Sequence, residues 1–198
     1  LVLDVFRTDF THQWMVDMEA GRFLRMYSMP GASYSTSIQG EFNYSPFKRF
    51  EIKAAYRYQD VQADYLHDGG LIRLSKPYLN KDRVLVNLAY STPYDIWKYD
   101  ITWQWNGSRR IPDHKLAHLH TGSIQEVSAP PFSTVYAQVT RQFKKWELYL
   151  GVENLFNFTQ KNPIYVAKDP FALGFDASMV WGPITGTMVY TGIRFKIN

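Results

Sequence analysis

The sequence of 198 residues predicts an all-β fold, an antiparallel transmembrane β-barrel or part of its wall. Several segments alternate apolar and polar side chains over the length of a tilted membrane-spanning strand, which is about 9 to 11 residues. Short and long connections follow each other in turn along the chain. Aromatic residues, which make up 17% of the chain, gather beside the short connections.

The alternation predicts eight strands. Six segments alternate cleanly, and they are 33–44, 50–59, 84–90, 97–105, 146–153 and 189–197. Two further segments, 3–16 and 133–143, alternate less cleanly and are predicted as strands as well. In the clearest segment Tyr34, Ile38 and Phe42 share one face, and Gln39 and Glu41 share the other.

The connections separate a membrane barrel from a soluble β-sandwich, which has the same period of two. The short ones are 45–48, 91–95 and 143–145, and the long ones are 18–29, 66–78, 107–131 and 156–185. Tight periplasmic turns and extended extracellular loops are typical of outer-membrane barrels, and sandwich strands are shorter, about 5 or 6 residues.

Aromatic side chains beside the tight turns are predicted to form one interfacial girdle, since amphipathic rings favour the boundary between headgroups and hydrocarbon. The residues are Tyr44, Phe47, Phe50, Tyr90, Tyr94, Trp97, Phe143, Trp146 and Phe195. This arrangement favours the outer-membrane barrel over a soluble all-β domain with an aromatic core.

The amino-acid composition excludes several other classes of protein and site. The mean hydropathy is −0.32, and no continuous run of about 18 apolar residues is present, which excludes helical membrane spans. The chain has no cysteine and therefore neither a disulfide nor a thiolate metal site. The net charge is +4, but lysine and arginine are scattered and form no basic stripe, so no nucleic-acid partner is expected.

The last fifty or so residues carry a resemblance to a known family. They contain 151–155 (GVENL), 161–164 (KNPI), 175–178 (FDAS), 181–184 (WGPI) and 190–195 (YTGIRF). This part of the chain resembles the C-terminal end of TonB-dependent outer-membrane receptors. The upstream segments 6–10 (FRTDF) and 54–57 (AAYR) are similar to internal strands of the same family, so the resemblance covers most of the chain.

The resemblance implies the C-terminal portion of a barrel of about 22 strands, with residues 1–198 forming the last eight or so and the N-terminal plug lying outside this sequence. The sequence begins in a strand-like segment, and the chain is therefore expected to start inside a larger fold. The implied function is active transport of a scarce nutrient, such as an iron-siderophore or cobalamin, across the outer membrane of a Gram-negative bacterium. The alternatives are a free-standing small barrel of about eight strands and a passive porin.

The resemblance also implies partners. These are membrane lipid and lipopolysaccharide, the plug and the remaining barrel strands, the TonB complex acting through the plug, and a small-molecule ligand. The segment Tyr190 to Ile197 resembles the C-terminal signal read by the barrel-assembly machinery, although many such proteins end on an aromatic residue and this chain continues to Asn198.

The loop 107–131 contains His114, His118 and His120, which are candidate ligands for a metal or a metal chelate because imidazole binds Zn²⁺ and Cu²⁺. The other interpretation is a solvated loop that holds three of the five histidines. No cofactor is expected. An outer-membrane enzyme of the lipase type would need a serine, a histidine and a carboxamide or carboxylate that meet at one spot on the barrel. The histidines lie in loops or near the N-terminus, so the chain is not predicted to be an enzyme.

The loop 156–185 mixes aromatic and charged residues, a composition that can hold an aromatic or anionic chelate. Its candidate ligand-binding residues are Tyr165, Phe171 and Trp181. For the part from 175 to 183, a structural role is favoured, in which the segment packs against the barrel mouth.

Overall fold

The computed structural model describes residues 1–17, 25–29, 31–67, 70–112, 127–164, 166–172, 175, 177 and 180–196. Thirteen strands lie in these residues. No helix in the described part of the chain is long and apolar enough to cross a membrane.

Nine of the strands form the continuous sheet of the fold, and the eight that follow one another across it are here called the wall. They are β1 (Val2–Phe10), β4 (Ser33–Phe47), β5 (Phe50–His67), β7 (Asp82–Ser91), β8 (Trp97–Asn106), β11 (Phe132–Gln142), β12 (Trp146–Glu153) and β13 (Met188–Phe195). The other five are β2 (Trp14–Asp17), β3 (Arg25–Ser28), β6 (Gly70–Ser75), β9 (Arg109–Ile111) and β10 (Val127–Ala129). A 3-10 turn, Pro93–Asp95, lies between β7 and β8.

Every pairing in the wall is antiparallel, and each wall strand pairs with the next one along the chain. The order runs from β1 at one edge to β13 at the other, and β1 and β13 do not pair with each other in the described residues. The predicted count of eight wall strands is confirmed. They do not close on themselves into a small barrel, because closure requires the two edge strands to pair.

The register aligns the apolar side chains into continuous rows across the outer face of the wall. One row crosses seven strands and consists of Tyr44, Ile52, Leu88, Ile101, Ala137, Val152 and Val189. Its large members stay accessible, with Leu88 at 38% and Ile101 at 48% exposure. No second sheet covers this face within the described residues, so a β-sandwich with a dry interior is the wrong interpretation.

The opposite, polar face is concave, and cavities open on it. The largest of those described has a volume of about 610 Å³ and is lined by Glu51, Lys98, Asp100, Gln138 and Tyr190, among others. A polar concave face and an apolar convex face are the arrangement of a membrane barrel, with water inside and lipid outside.

Aromatic rings crowd the end of the wall where the tight turns lie. Phe47 stacks on Phe50 with ring centroids 4.8 Å apart, and Phe143 stacks on Trp146 at 3.9 Å. The guanidinium of Arg141 lies over the rings of Trp97 and Phe143, 5.0 and 4.9 Å from their centroids. The predicted clustering of aromatic residues at this end is confirmed.

The opposite end of the wall, here called the loop end, holds the small apolar clusters of the fold. One cluster contains Met29, Ala63, Tyr65 and Leu74, and another contains Ile111 and Ala129. The middle of the wall has no comparable core in the described residues, because both of its faces are open.

Two sequence-based strand ends were wrong at the loop end. The first strand ends at Phe10 instead of Val16, since the chain bends at 11–12 and then forms the β2–β3 hairpin. β5 continues to His67, well past Gln59, because its second half pairs with β6. The long connections are also partly built of strand, since β3, β6, β9 and β10 lie within segments predicted as loops.

Candidate ligand-binding face

The concave face carries polar rows in register. One row crosses six strands, with Glu51, Ala89, Asp100, Gln138, Gly151 and Tyr190 side by side. Asn87 Nδ2 donates to Asp100 Oδ1 at 3.0 Å and to Thr102 Oγ1 at 2.8 Å. Such cross-strand bonds fix the polar side chains of neighbouring strands relative to each other.

Two ion pairs lie on the same face. Lys53 Nζ lies 2.9 Å from Glu41 Oε1, and Arg194 pairs with Glu147 directly opposite on the neighbouring strand. Glu147 is buried at 7% exposure. The carboxylates Glu41 and Glu147 are therefore already neutralised by cations of the wall itself.

Two tyrosines cover two glycines on the concave face. A Cβ on Gly151 would meet Tyr190 Cζ at 2.2 Å, and a Cβ on Gly192 would meet Tyr149 Oη at 2.2 Å. The two rings are 6.3 Å apart between centroids, and Tyr190 Oη donates to Gln138 Oε1 at 3.0 Å. The wall's own tyrosines therefore occupy the space above Gly151 and Gly192 on this face.

At the loop end Asp64 joins three separate segments. Its carboxylate accepts two hydrogen bonds from Arg73, at 2.8 and 3.0 Å, and a third from the backbone N–H of Ala32 at 3.0 Å. A Cβ on Gly31 would lie 2.5 Å from Asp64 Cβ, and only glycine therefore fits at this approach. The hydrogen bonds from Arg73 hold the pKa of Asp64 below its ordinary value, and those to Asp64 raise the pKa of Arg73.

We expect the hydrogen bonds that Asp64 accepts from Arg73 and from the backbone of Ala32 to break in acid. Because the folded pKa of Asp64 is depressed, its contribution to stability is present above the unfolded pKa of about 3.9 and is lost as the pH falls through the folded pKa. Hydrogen exchange at the Ala32 amide should therefore lose protection in acid relative to a wall amide. In Asp64→Asn the protection should be low already at neutral pH and should change little in acid. Equal acid-induced loss in both proteins would contradict the role of Asp64.

The connection after β12 is tied at its base by asparagine and glutamine amides. Asn154, buried and in the left-handed region with φ 50°, accepts from Phe158 N–H at 3.0 Å and donates to the carbonyls of Phe158 and Thr185 at 2.7 and 3.3 Å. Gln160 Oε1 accepts from the N–H groups of Trp181 and Gly182 at 2.7 and 3.0 Å. The two ends of the loop are thereby joined at the rim of the wall.

The structure separates two of the predicted ligand-binding residues. Trp181 packs against the cluster of Ile111 and Ala129 and lies 6.0 Å from Phe132 between ring centroids. Phe171 is 95% exposed. This packing agrees with the structural role favoured for 175–183, and ligand contact by either residue stays a prediction.

The remaining predicted site residues, Tyr165, His114, His118 and His120, lie outside the described residues. Within the residues that are described, no three His, Asp or Glu side chains are placed to hold a metal. The metal site therefore also stays a prediction.

The sequence interpretation missed a cationic row at the loop end of the concave face. Arg57 lies directly opposite Arg83 in the β5–β7 register, and Gln39 and Asn106 continue the row on either side. The strand β7 was predicted to begin only after Arg83, so the pairing could not be seen. Extending the alternation backward from Val84 would have placed Arg83 on the polar face.

An open-edged antiparallel wall with an apolar convex face, a polar concave face and its loops at one end defines this chain as the wall of a large outer-membrane-type barrel. Among solved structures, the chain is similar to the pyoverdine outer membrane receptor FpvA of Pseudomonas aeruginosa PAO1, with 12% identity and a TM-score of 0.65 over 98% of this chain and 27% of that one. It is similar to the ferric enterobactin receptor PfeA of Pseudomonas aeruginosa, with 15% identity and a TM-score of 0.63 over 96% and 28%. It is also similar to the copper transporter OprC, with 12% identity and a TM-score of 0.58 over 98% and 27%.

These solved structures are TonB-dependent receptors and transporters and not enzymes. The chain has the fold of their barrel wall, and the resemblance predicted from the sequence is confirmed at that level. The chain spans about a quarter of the length of the structures it matches, from 24 to 28%. No protein-family model and no curated protein matches the sequence.

Proposed function

We propose that this chain supplies part of the barrel wall and the extracellular loops of a TonB-dependent transporter in the outer membrane of a Gram-negative bacterium. The observation that carries the proposal is the eight-stranded wall, whose two edge strands lack a partner in the described residues while its apolar and polar faces are continuous. Unpaired wall edges are not stable in lipid, which supports further strands beside β1 and β13.

The proposed cargo is a metal or a metal chelate. Two of the similar structures are receptors for the iron-chelate ligands pyoverdine and ferric enterobactin, and the third is a copper transporter. These names support a metal cargo over cobalamin. In this proposal a plug fills the lumen, the TonB complex acts through that plug, the barrel-assembly machinery reads Tyr190 to Ile197, and lipid and lipopolysaccharide surround the outer face.

Uptake by cells that express the complete protein tests this function. Accumulation of radiolabelled iron supplied as chelates, or of copper, should depend on the protein and should fall to background when TonB is deleted. A passive porin would conduct small solutes in planar bilayers and would be insensitive to TonB. TonB-independent accumulation would therefore overturn the transporter proposal and leave the passive pore.

The same assay tests the histidine site. The double substitution His118→Ala and His120→Ala should reduce metal or metal-chelate uptake severalfold, since a flexible loop can fold imidazoles onto one ion. The control is His12→Ala, which removes an exposed imidazole outside that loop. Unchanged uptake in the double variant would remove these histidines from the function.

A further inference from the structure

The register sets Arg57 and Arg83 directly opposite each other on neighbouring strands. Like charges directly opposite each other on neighbouring strands are destabilising. The described residues place no carboxylate within ion-pair distance of either arginine, since their ion pairs involve other side chains. Among the described residues, Arg83 donates to the amide oxygen of Asn80, at 3.2 Å.

A third guanidinium lies close by. Arg109 is half-buried and sits over the ring of Phe132, 5.6 Å from its centroid. Burial lowers the pKa of Arg109, and the charge of Arg83 lowers it further, so the two groups are near enough to repel each other. Phe132 belongs to the same row as Arg83, two strands away.

Arg57 and Arg83 line an open cavity of about 220 Å³ on the concave face, together with the neutral amides of Gln39, Gln104 and Asn106. Guanidinium groups present forks of donors that match carboxylate, phosphate and catecholate oxygens, and amides add further hydrogen bonds without charge. The cavity lies towards the loop end, and a ligand that enters from the loops would meet it before the rest of the lumen. Elsewhere on this face Lys53 and Arg194 already have carboxylate partners.

We propose that Arg57 and Arg83, with Arg109 beside them, form a binding site for an anionic, oxygen-rich small molecule on the lumenal face of the wall. The inference rests on the proposed transport function, because it takes this face as the path of the cargo, and it narrows that cargo to complexes with a net negative charge. An anion between the opposed guanidinium groups would relieve their repulsion.

The test uses the complete protein in detergent and two probes, a ferric tris-catecholate, which is strongly anionic, and a ferric tris-hydroxamate, which is neutral. Binding is followed by quenching of tryptophan fluorescence. The variant with Arg57→Gln and Arg83→Gln should bind the anionic complex at least tenfold more weakly than the wild type. Lys145→Gln is the matched control, since it removes an exposed cation from a tight turn at the other end of the wall. Its affinity should stay within about twofold of the wild type, as its distance from the site implies.

A second measurement separates ligand binding from a structural role. Because the two arginines repel each other, the double variant should unfold at the same temperature as the wild type or higher. Equal affinity of the wild type and the double variant for the anionic complex would overturn the site, as would absence of anionic binding by the wild type. An equal loss of affinity for both probes in the double variant would also overturn the site, because the arginines would then be holding another part of the polypeptide.

The two proposals fail in different ways. If the complete protein drives TonB-dependent uptake of the neutral complex alone, the transport function stands and the anion site is wrong. If uptake does not depend on TonB, the transport function is wrong whatever the probes show.

Discussion

Replacing Ile101 with arginine should destabilise the folded barrel by about 2 to 4 kcal/mol, the cost of a cation facing lipid near the bilayer midplane. Ile101 lies near the middle of β8, belongs to the apolar row of the outer face and is 48% exposed. Its outer-face neighbours across the strands are Leu88 and Ala137, which offer the new charge no counter-ion. The measurement is the free energy of unfolding of the complete protein by denaturant titration in lipid vesicles.

The matched control is Thr102→Arg, one residue further along and on the opposite face. That substitution loses the hydrogen bond from Asn87 at 2.8 Å, a loss of about 1 kcal/mol. The new cation would lie on the polar face near Asp100, which already shares a hydrogen-bond donor with Thr102. Equal costs at positions 101 and 102 would contradict the assignment of the outer face to lipid.

Asn154→Ala is expected to have an effect of similar size, about 2 to 4 kcal/mol, because it removes three hydrogen bonds to part-buried backbone groups, each worth about 1 kcal/mol. The Asn154 side chain is the common partner of Phe158 N–H, Phe158 C=O and Thr185 C=O. Its loss should release the base of the connection that carries Phe171 and Trp181. The free energy of unfolding measures the destabilisation. Hydrogen exchange of the amides of residues 155–160 shows whether it is local to this connection.

Asn162→Ala separates the hydrogen bonds from backbone strain. Asn162 has nearly the same positive φ as Asn154, 53° against 50°, but its side chain is exposed. Both substitutions place alanine in the left-handed region, and only Asn154→Ala removes the network. A cost as large at Asn162 as at Asn154 would show that backbone conformation, and not the amide, holds the loop.

The alternation of side chains predicted the wall well because it is a local property. A period of two fixes which residues share a face whatever strand lies alongside. The apolar face that contains Ile52 and Ile101 and the polar face that contains Glu51 and Asp100 were both visible in this way. The resemblance to TonB-dependent receptors pointed to the same fold, which the comparisons bear out.

The candidate site was much less predictable. Trp181 packs against Ile111 and Ala129, which are remote in the chain. Its predicted ligand contact stays a prediction. The sequence gives no sign that Gly151 lies beneath Tyr190, or that Asp64 joins Arg73 to the backbone of Ala32. Each of these contacts depends on the partner of a strand and on the path of a loop.

The sequence by itself therefore determined the class of fold, the two faces of the wall and the end at which the long loops lie. Only the tertiary structure decided the register that sets Arg57 opposite Arg83, the covering of the glycines and the packing of the loops on the rim. The physical reason is the distance along the chain between the residues that determine each property. Alternation and turn length depend on residues that are close in the chain, whereas register is set by hydrogen bonds between strands that are distant in the chain.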